Sequence, residues 1–468
     1  MSKRRGTSLF FTFLIGILIW FAPHSESIPI KAWHMLAIFI GTIIGVILKP
    51  FSMGALSIIA IAITTLSGTL TLDETLAGFQ SSIVWLVVFA FFISSGFIKT
   101  GLGSRIAYYF VVLFGKRTLS LGYSLLCSDL LLAPAVPSVT ARTGGVVYPV
   151  AKGLAKSFGS DPELGTQKRI GSFLTFVAYQ GSVITSGMFL TAMAANPFLA
   201  GLLTEMGYSI SWGQWALAAL LPGLISLIVM PLIVYKMMPP GIKETPDAPA
   251  HARKKLAELG RLSGKECLMG GIFILLLFLW VFGTYFHIHA TVAALLGLAL
   301  IIIFEILDWK DIVNESSAWD TFIWFSILIM LATSLSRLGF TPWLSEQAVR
   351  LVGGMSWQGA FAILALIYFY VHYFFASNTA HVGAIFPAFL MVAVSLGTPP
   401  FYAILVLAFF SSLSGGLTQY GSGPAPIYYG SGYIEIKDWW KVGFVLSIVN
   451  IVIWVGIGSF WWKIIGLI

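Results

Sequence analysis

Long apolar stretches recur along the whole chain: Leu9–Ala22, Trp33–Leu48, Phe51–Leu66, Ile83–Phe97, Leu217–Tyr235, Cys267–Gly283, Thr291–Ile306, Phe361–Phe375 and Val442–Trp461. A helix needs about 20 mostly apolar residues to cross the hydrocarbon of a bilayer, and the shorter runs cross with polar neighbours or tilt. Only 10% of the 468 residues are charged, against roughly a quarter in a soluble chain. These runs predict an all-α polytopic membrane protein with about eleven transmembrane helices. They leave no room for a separate soluble domain.

Charge sets the expected orientation. The net charge of +8 is read as Lys and Arg concentrated in cytoplasmic loops and not as a nucleic-acid surface. Lys3, Arg4 and Arg5 precede the first run, which ends in Ala22-Pro23-His24-Ser25 without a small-x-small cleavage pattern. The first helix is therefore expected to stay uncleaved and to start in the cytoplasm. Thr69–Gln80 carries Asp73 and Glu74 but no Lys or Arg, and Thr204–Gln214 carries Glu205 alone, so both lie outside. Lys99, Arg105, Lys116, Arg117, Lys152, Lys156, Lys168 and Arg169 mark inner loops, as does the hydrophilic Lys236–Glu266 with Arg253-Lys254-Lys255. The expected location is a bacterial inner membrane, with the N-terminus and the Lys236–Glu266 linker cytoplasmic. Cys127 and Cys267 lie in apolar sequence as packing residues, and no cofactor or metal is called for.

Lys236–Glu266 divides the chain into halves that correspond. Trp85 falls on Trp324, Ser138 on Ser377 and Gln180 on Gln419 at one offset, with Gly181-Ser182 matching Gly421-Ser422 after a one-residue slip. Four matches in register make an internal repeat the best reading. The expected segments are an N-terminal helix in 1–32, a first repeat in 33–235, a linker in 236–266 and a second repeat in 267–468. Between Arg117 and Lys152 the chain must leave the cytoplasm and return within 34 residues. Two full spans would take about 40. Pro134, Pro137, Gly144 and Gly145 interrupt the middle. A re-entrant hairpin near 118–151 is expected, and its repeat near 357–396 enters from the other face, so that the tips meet near the midplane.

The two tips carry related pentapeptides, Ser138–Arg142 (SVTAR) and Ser377–His381 (SNTAH). Backbone that leaves a helix inside a bilayer costs several kcal/mol per unpaired group unless it lines a cavity. Broken helices also point free N–H groups into that cavity, which suits an anion and especially a carboxylate. Ser138, Thr140, Ser377, Asn378 and Thr379 add short donors. Thr185-Ser186-Gly187 and Thr418–Pro426 are expected as a second pair of interruptions, bringing Thr418, Gly421, Ser422, Gly423 and Pro424 to the site. Arg142 matches a carboxylate with its planar fork, with Asp129 as the alternative, structural partner. His381, if protonated, would let the pair balance a dianion.

PSVTARTGGVVYP at Pro137–Pro149, SNTAH, and Leu417–Gly432 are similar to the divalent anion/sodium symporter family, most of all to its exchanger branch of plastid 2-oxoglutarate/malate translocators and bacterial citrate and tartrate antiporters. The resemblance covers essentially the whole chain. It implies an inverted-repeat homodimer with scaffold and mobile transport parts, working elevator-fashion, and a dicarboxylate or tricarboxylate held between both tips. In the symporters each Ser-Asn-Thr also helps coordinate sodium. Val139 stands where that pattern has Asn, and Arg142 and His381 supply the charge sodium would bring.

The function expected is antiport of C4–C5 dicarboxylates, 2-oxoglutarate against malate or succinate, independent of sodium. Sodium-coupled dicarboxylate uptake is the alternative, which Asn378 permits. An intramembrane hydrolase pairing a Ser with His381, or an anion channel, ranks lower: neither H-E-x-x-H nor G-x-S-x-G occurs, and a pore favours rings of charge.

Overall fold

A computed structural model describes residues 3–340, 343, 347 and 356–468. Helix α1 (Lys3–Trp20) precedes a series that runs α2 (Ile30–Leu48), α3 (Met53–Leu66), α4 (Leu72–Leu76), α5 (Ser82–Thr100), α6 (Leu102–Phe114) and α7 (Thr118–Leu132). A π-helical stretch, Thr140–Val147, then leads into α8 (Tyr148–Ser157), followed by α9 (Gly171–Met188), α10 (Ala195–Glu205) and α11 (Trp212–Met237). After α12 (Ala248–Glu258) come α13 (Gly264–Phe282), α14 (Ala290–Ile303), α15 (Trp309–Asn314), α16 (Ser316–Arg337), α17 (Trp357–Tyr370), α18 (Asn378–Ser395), α19 (Pro400–Leu413) and α20 (Ala425–Gly430). Helix α21 (Ile436–Val452) continues through π-helical Ile453–Ile457 into α22 (Gly458–Ile464). Among the described residues eight helical segments are long and apolar enough to cross a membrane, and shorter apolar helices accompany them.

The order from α2 to α11 recurs from α13 to α22, and local chemistry recurs with it. Helices α4 and α15 hold the same place in their series, and each starts with a capping box: Thr71 with Glu74, and Asp308 with Asp311. Such boxes satisfy helix-start N–H groups from both ends. The stretch that would answer α6 in the second series falls in 341–355, largely outside the described residues. The register differs from the single offset expected. Ser138 and Ser377 both open their tips, 239 residues apart, but beyond the tips the spacing shrinks to 227, chiefly because thirteen residues separate α8 from α9 and only four separate α18 from α19. Gln180, Gly181 and Ser182 consequently lie inside continuous α9, whereas Gln419, Gly421 and Ser422 lie in the broken stretch after α19.

By contacts the chain divides into two compact units, and neither is a repeat. One comprises Met1–Val88, Pro197–Ser209 and Ser316–Ala408; the other comprises Phe89–Asn196, Ile210–Glu315 and Phe409–Ile468. In the first, α1 and α2 approach closely at Gly16 and Gly41, and the Trp33 indole donates to the Ile19 carbonyl at 2.7 Å. Gly78 presses on α16: an added Cβ would sit 2.0 Å from the Ser326 carbonyl oxygen. Phe375 and Ala380 pack with Val46 and Leu56 of α2 and α3. In the second unit α9 is the axis, with every residue from Gly171 to Met188 buried. Helices α7, α8 and α11 pack around it, and α22 joins α11 through the Trp462 indole, 2.9 Å from the Ala218 carbonyl.

The hydrophilic stretch after α11 is more ordered than a linker needs to be. Thr118 N–H donates to the Lys243 carbonyl and Thr245 N–H to the Lys116 carbonyl, both at 2.9 Å. The Thr118 and Thr245 hydroxyls donate to the carbonyls of Ile242 and Gly115. Arg105 closes the arrangement, its Nε 2.6 Å from Glu266 Oε1 and its Nη1 3.1 Å from the Gly260 carbonyl oxygen. Both side chains are buried. Removing one partner of a buried pair strands the other charge at a cost of about 3 kcal/mol. Arg105→Met should therefore lower the thermal midpoint of detergent-purified protein by several degrees, and adding Glu266→Met should recover most of that loss.

Candidate functional site

The first tip begins where α7 runs out. Pro134 and Pro137 lack the N–H that a helix interior uses, and Ser138 restarts one: its Oγ accepts from Ala141 N–H at 3.2 Å, and its carbonyl accepts from Arg142 N–H at 2.8 Å. Ser138 is half-buried and Thr140 exposed, so both present donors at the tip. Arg142 points the other way, into protein, and is 0% exposed. Its Nε donates to Asp129 Oδ1 at 3.0 Å, Nη1 to the carbonyls of Val136 and Ala192 at 2.8 and 2.6 Å, and Nη2 to Ser186 Oγ at 2.8 Å. Asp129 is as deeply buried, and its second oxygen accepts from Thr185 Oγ1. Four of the five guanidinium N–H groups are thus satisfied by the protein itself. The geometry gives Arg142 the structural partner Asp129 and holds the incoming arm, the tip and the end of α9 together.

Thr185-Ser186-Gly187 was expected to interrupt its helix, and it does not. Thr185 and Ser186 spend their hydroxyls on Asp129 and Arg142, and the Gly187 carbonyl accepts from the Trp215 indole at 2.9 Å, so α9 passes through them unbroken. The break comes at 189–194. There the Thr191 hydroxyl donates to the Pro134 carbonyl at 2.6 Å, and Asn196 Nδ2 donates to the carbonyls of Ser186 and Phe189 at 2.7 and 2.8 Å. A legible signal existed: Leu190-Thr191 and Pro197 repeat the spacing of Leu417-Thr418 and Pro424.

The second break, after α19, lies in the same compact unit as the first tip, and the structure brings them together. Gly423 sits against Thr140: a Cβ there would lie 2.6 Å from Thr140 Oγ1. The Thr143 hydroxyl is 2.5 Å from the Tyr428 hydroxyl. Ser422 Oγ lies 2.9 Å from the Tyr179 hydroxyl, which donates to the Gly415 carbonyl at 2.6 Å. Gly421 and Pro424 are buried in the same turn. Thr418 is 0% exposed and its hydroxyl has no hydrogen-bond partner among the described residues, the kind of orphaned buried group that a native fold rarely leaves without a use. Tyr179, Thr143 and Tyr428 were not singled out from sequence, because buried aromatic and hydroxyl residues are everywhere in this chain.

The second tip belongs to the other unit. Helix α17 tightens into a 3₁₀ turn, Val371–Phe374, and Ser377 starts α18 by accepting from Ala380 N–H at 3.4 Å. Ser377, Asn378 and Thr379 are half-buried at this helix start, where free N–H groups favour negative charge. His381 is fully buried, with its Nδ1 2.8 Å from Nδ1 of His372 and the Tyr368 ring at 4.5 Å. Among the described residues its side-chain partner is His372, and no serine hydroxyl bonds it. Among the described residues no cluster of metal-ligating side chains occurs.

The family and the relatives that this polytopic helical chain matches are membrane transporters, not enzymes. Residues 3–468 match the family described as "Sodium:sulfate symporter transmembrane region", and the chain belongs to it. A Bacillus subtilis (strain 168) protein named for malate transport, YflS, is 52% identical over 460 residues, covering 98% of this chain and 96% of that one. "Dicarboxylate transporter 1, chloroplastic" of Spinacia oleracea is 50% identical over 457 residues, 97% of this chain and 80% of its own. The fold resembles the solved Alcanivorax borkumensis YdaH transporter, with a TM-score of 0.56 at 13% identity over 99% and 97% of the two chains.

The contact of Gly423 with Thr140 is open to test. Gly423→Ala should lower the stability of the purified protein by less than the roughly 1–3 kcal/mol of an overpacked core, since both residues are exposed, and Thr140→Ala in that background should restore most of the loss. An equal loss with and without Thr140→Ala would show that the contact carries none of it.

Proposed function

We propose that this transporter exchanges C4–C5 dicarboxylates, 2-oxoglutarate against malate or succinate, without sodium. The observation that carries the reading is the coordination of Arg142. Asp129, Ser186 and the carbonyls of Val136 and Ala192 are an oxygen set of the kind that a hard cation takes, and the guanidinium occupies all four. The guanidinium stands where a co-transported cation would, and with Asp129 it forms a pair that is neutral in sum. The helix-start N–H groups and hydroxyls of the tips then cross a low-dielectric barrier at a cost when empty and at less cost when an anion takes their hydrogen bonds, which favours exchange. The substrate class rests on the short donors: Ser138, Thr140, Thr418 and Ser422 in one unit, Ser377, Asn378 and Thr379 in the other. The names of the relatives point the same way. The rest of the reading follows the family resemblance: about eleven crossings, re-entrant tips, a homodimer of elevator type, and an inner-membrane location with the N-terminus and residues 236–266 cytoplasmic. Sodium coupling is the second reading, favoured by the intact Ser377-Asn378-Thr379.

Counterflow separates the two. Proteoliposomes loaded with dicarboxylate should take up labelled 2-oxoglutarate equally well in sodium, potassium or choline buffer, and empty ones should take up little. A steep sodium requirement in loaded vesicles would make the symporter reading the better one. Asn378→Ala and Thr379→Ala should each weaken dicarboxylate binding by about 1–3 kcal/mol while leaving the fold intact. Wild-type affinity in both variants would remove the second tip from the site.

A further inference from the structure

His372 and His381 are, tyrosines aside, the only ionisable groups buried in the first compact unit among the described residues, and both are 0% exposed. Their Nδ1 atoms lie 2.8 Å apart. Phe375 stacks on His381 at 5.2 Å, and the Tyr368 ring covers it at 4.5 Å. The helices packed on α18 are α2, α16 and α17. Their other titratable groups are Lys31, His34, Asp320, Arg337 and Tyr370, all exposed or half-buried. Among the described residues no buried carboxylate lies in this unit.

Two imidazoles that meet through Nδ1 need one N–H and one lone pair between them. A neutral pair meets that condition, with the tautomer of each ring dictated by the other. A pair holding one extra proton meets it too, because an imidazolium donates to the neutral ring. A doubly protonated pair does not: two N–H groups would face each other and two like charges would share a dry pocket. The two rings therefore behave as one site with a charge of zero or plus one. In the charged state Nε2 of His381 is an N–H donor whichever ring holds the extra proton. That atom makes no hydrogen bond of normal geometry among the described residues, although the Tyr368 backbone also faces the ring, and His381 lies in the first turn of α18, next to Asn378 and Thr379.

We propose that His372 is a positioning residue for His381, and that the pair takes up a single proton when a dicarboxylate dianion binds at the second tip. The proposal rests on the dicarboxylate reading above. One proton limits the coupling: above about pH 6.5, where the substrate's carboxylates stay ionised, affinity falls with rising pH by at most about tenfold per unit. The pair thereby selects dianions over monoanions, since a monoanion has no second charge to hold the proton in place.

The test uses full-length protein in detergent. Nitrogen NMR of histidine-labelled protein should show the Nδ1–H···Nδ1 coupling in the wild type and lose it in His372→Phe, which preserves the ring volume. Calorimetric titration with malate and 2-oxoglutarate, in two buffers of different ionisation enthalpy, should count between zero and one proton taken up. His372→Phe should move the pH-dependent window down by about one unit or more. His372→Gln, whose amide still partners Nδ1 of His381, should recover part of the shift. A wild type that binds these anions but shows no coupling, takes up more than one proton, or shares its pH profile with His372→Phe overturns the pair. A wild type that shows the coupling but binds neither anion overturns the dicarboxylate reading, and with it the role of the pair.

Discussion

A guanidinium with no access to solvent is the constraint around which the second compact unit is built. An arginine at bilayer depth costs at least about 2.5 kcal/mol even when the chain adapts around it, and the cost rises if its hydrogen bonds go unmade. Here Asp129, Val136, Ser186 and Ala192 answer it, each from a different stretch of chain: the incoming arm, the proline turn, the axial helix and the break that follows. Thr185 in turn steadies the carboxylate, and Thr191 ties the break back to the proline turn. The irregular backbone around the tip survives because one charged side chain demands its carbonyls.

The two pentapeptides share one pattern and differ in chemistry. In the first, the basic residue is fixed in charge and committed to the protein, which leaves Ser138 and Thr140 at the tip. In the second, the basic residue is an imidazole held by another imidazole, beside Ser377, Asn378 and Thr379. One half carries a cation already paired inside the protein, and the other a pair of buried imidazoles with no ion pair among the described residues.

Much of this was legible in the sequence. The apolar runs specify helices because a bilayer tolerates little else, and the proline-then-serine pattern at Pro137-Ser138 marks a helix restart wherever it occurs. The partner of Arg142 was visible as a candidate because Asp129 is the one acid in the two tip segments. What escaped was register. Thr185-Ser186-Gly187 reads as a helix breaker, yet its hydroxyls are consumed by tertiary partners that no local pattern reveals. The second break was found, since Gly421, Gly423 and Pro424 together disrupt a helix, but the first, with Ala194 and Asn196 in place of the two glycines and only Pro197 kept, was hidden. His372 left no trace, because Ala133 holds the matching position in the first half and the pair has no repeat.

The two compact units are interleaved along the chain, and this shapes how the protein must be made. The first unit draws on residues up to Val88 and again on Ser316–Ala408. A ribosome delivers those pieces more than two hundred residues apart, so the earliest helices enter the membrane long before the partners that bury their inner faces exist. Contacts this distant in sequence are slow to form, and helices waiting for them expose polar and small-residue faces to whatever lies nearby. Helices α1 and α2, which can close on each other at once through Gly16 and Gly41, give the nascent chain a first stable pair during that wait.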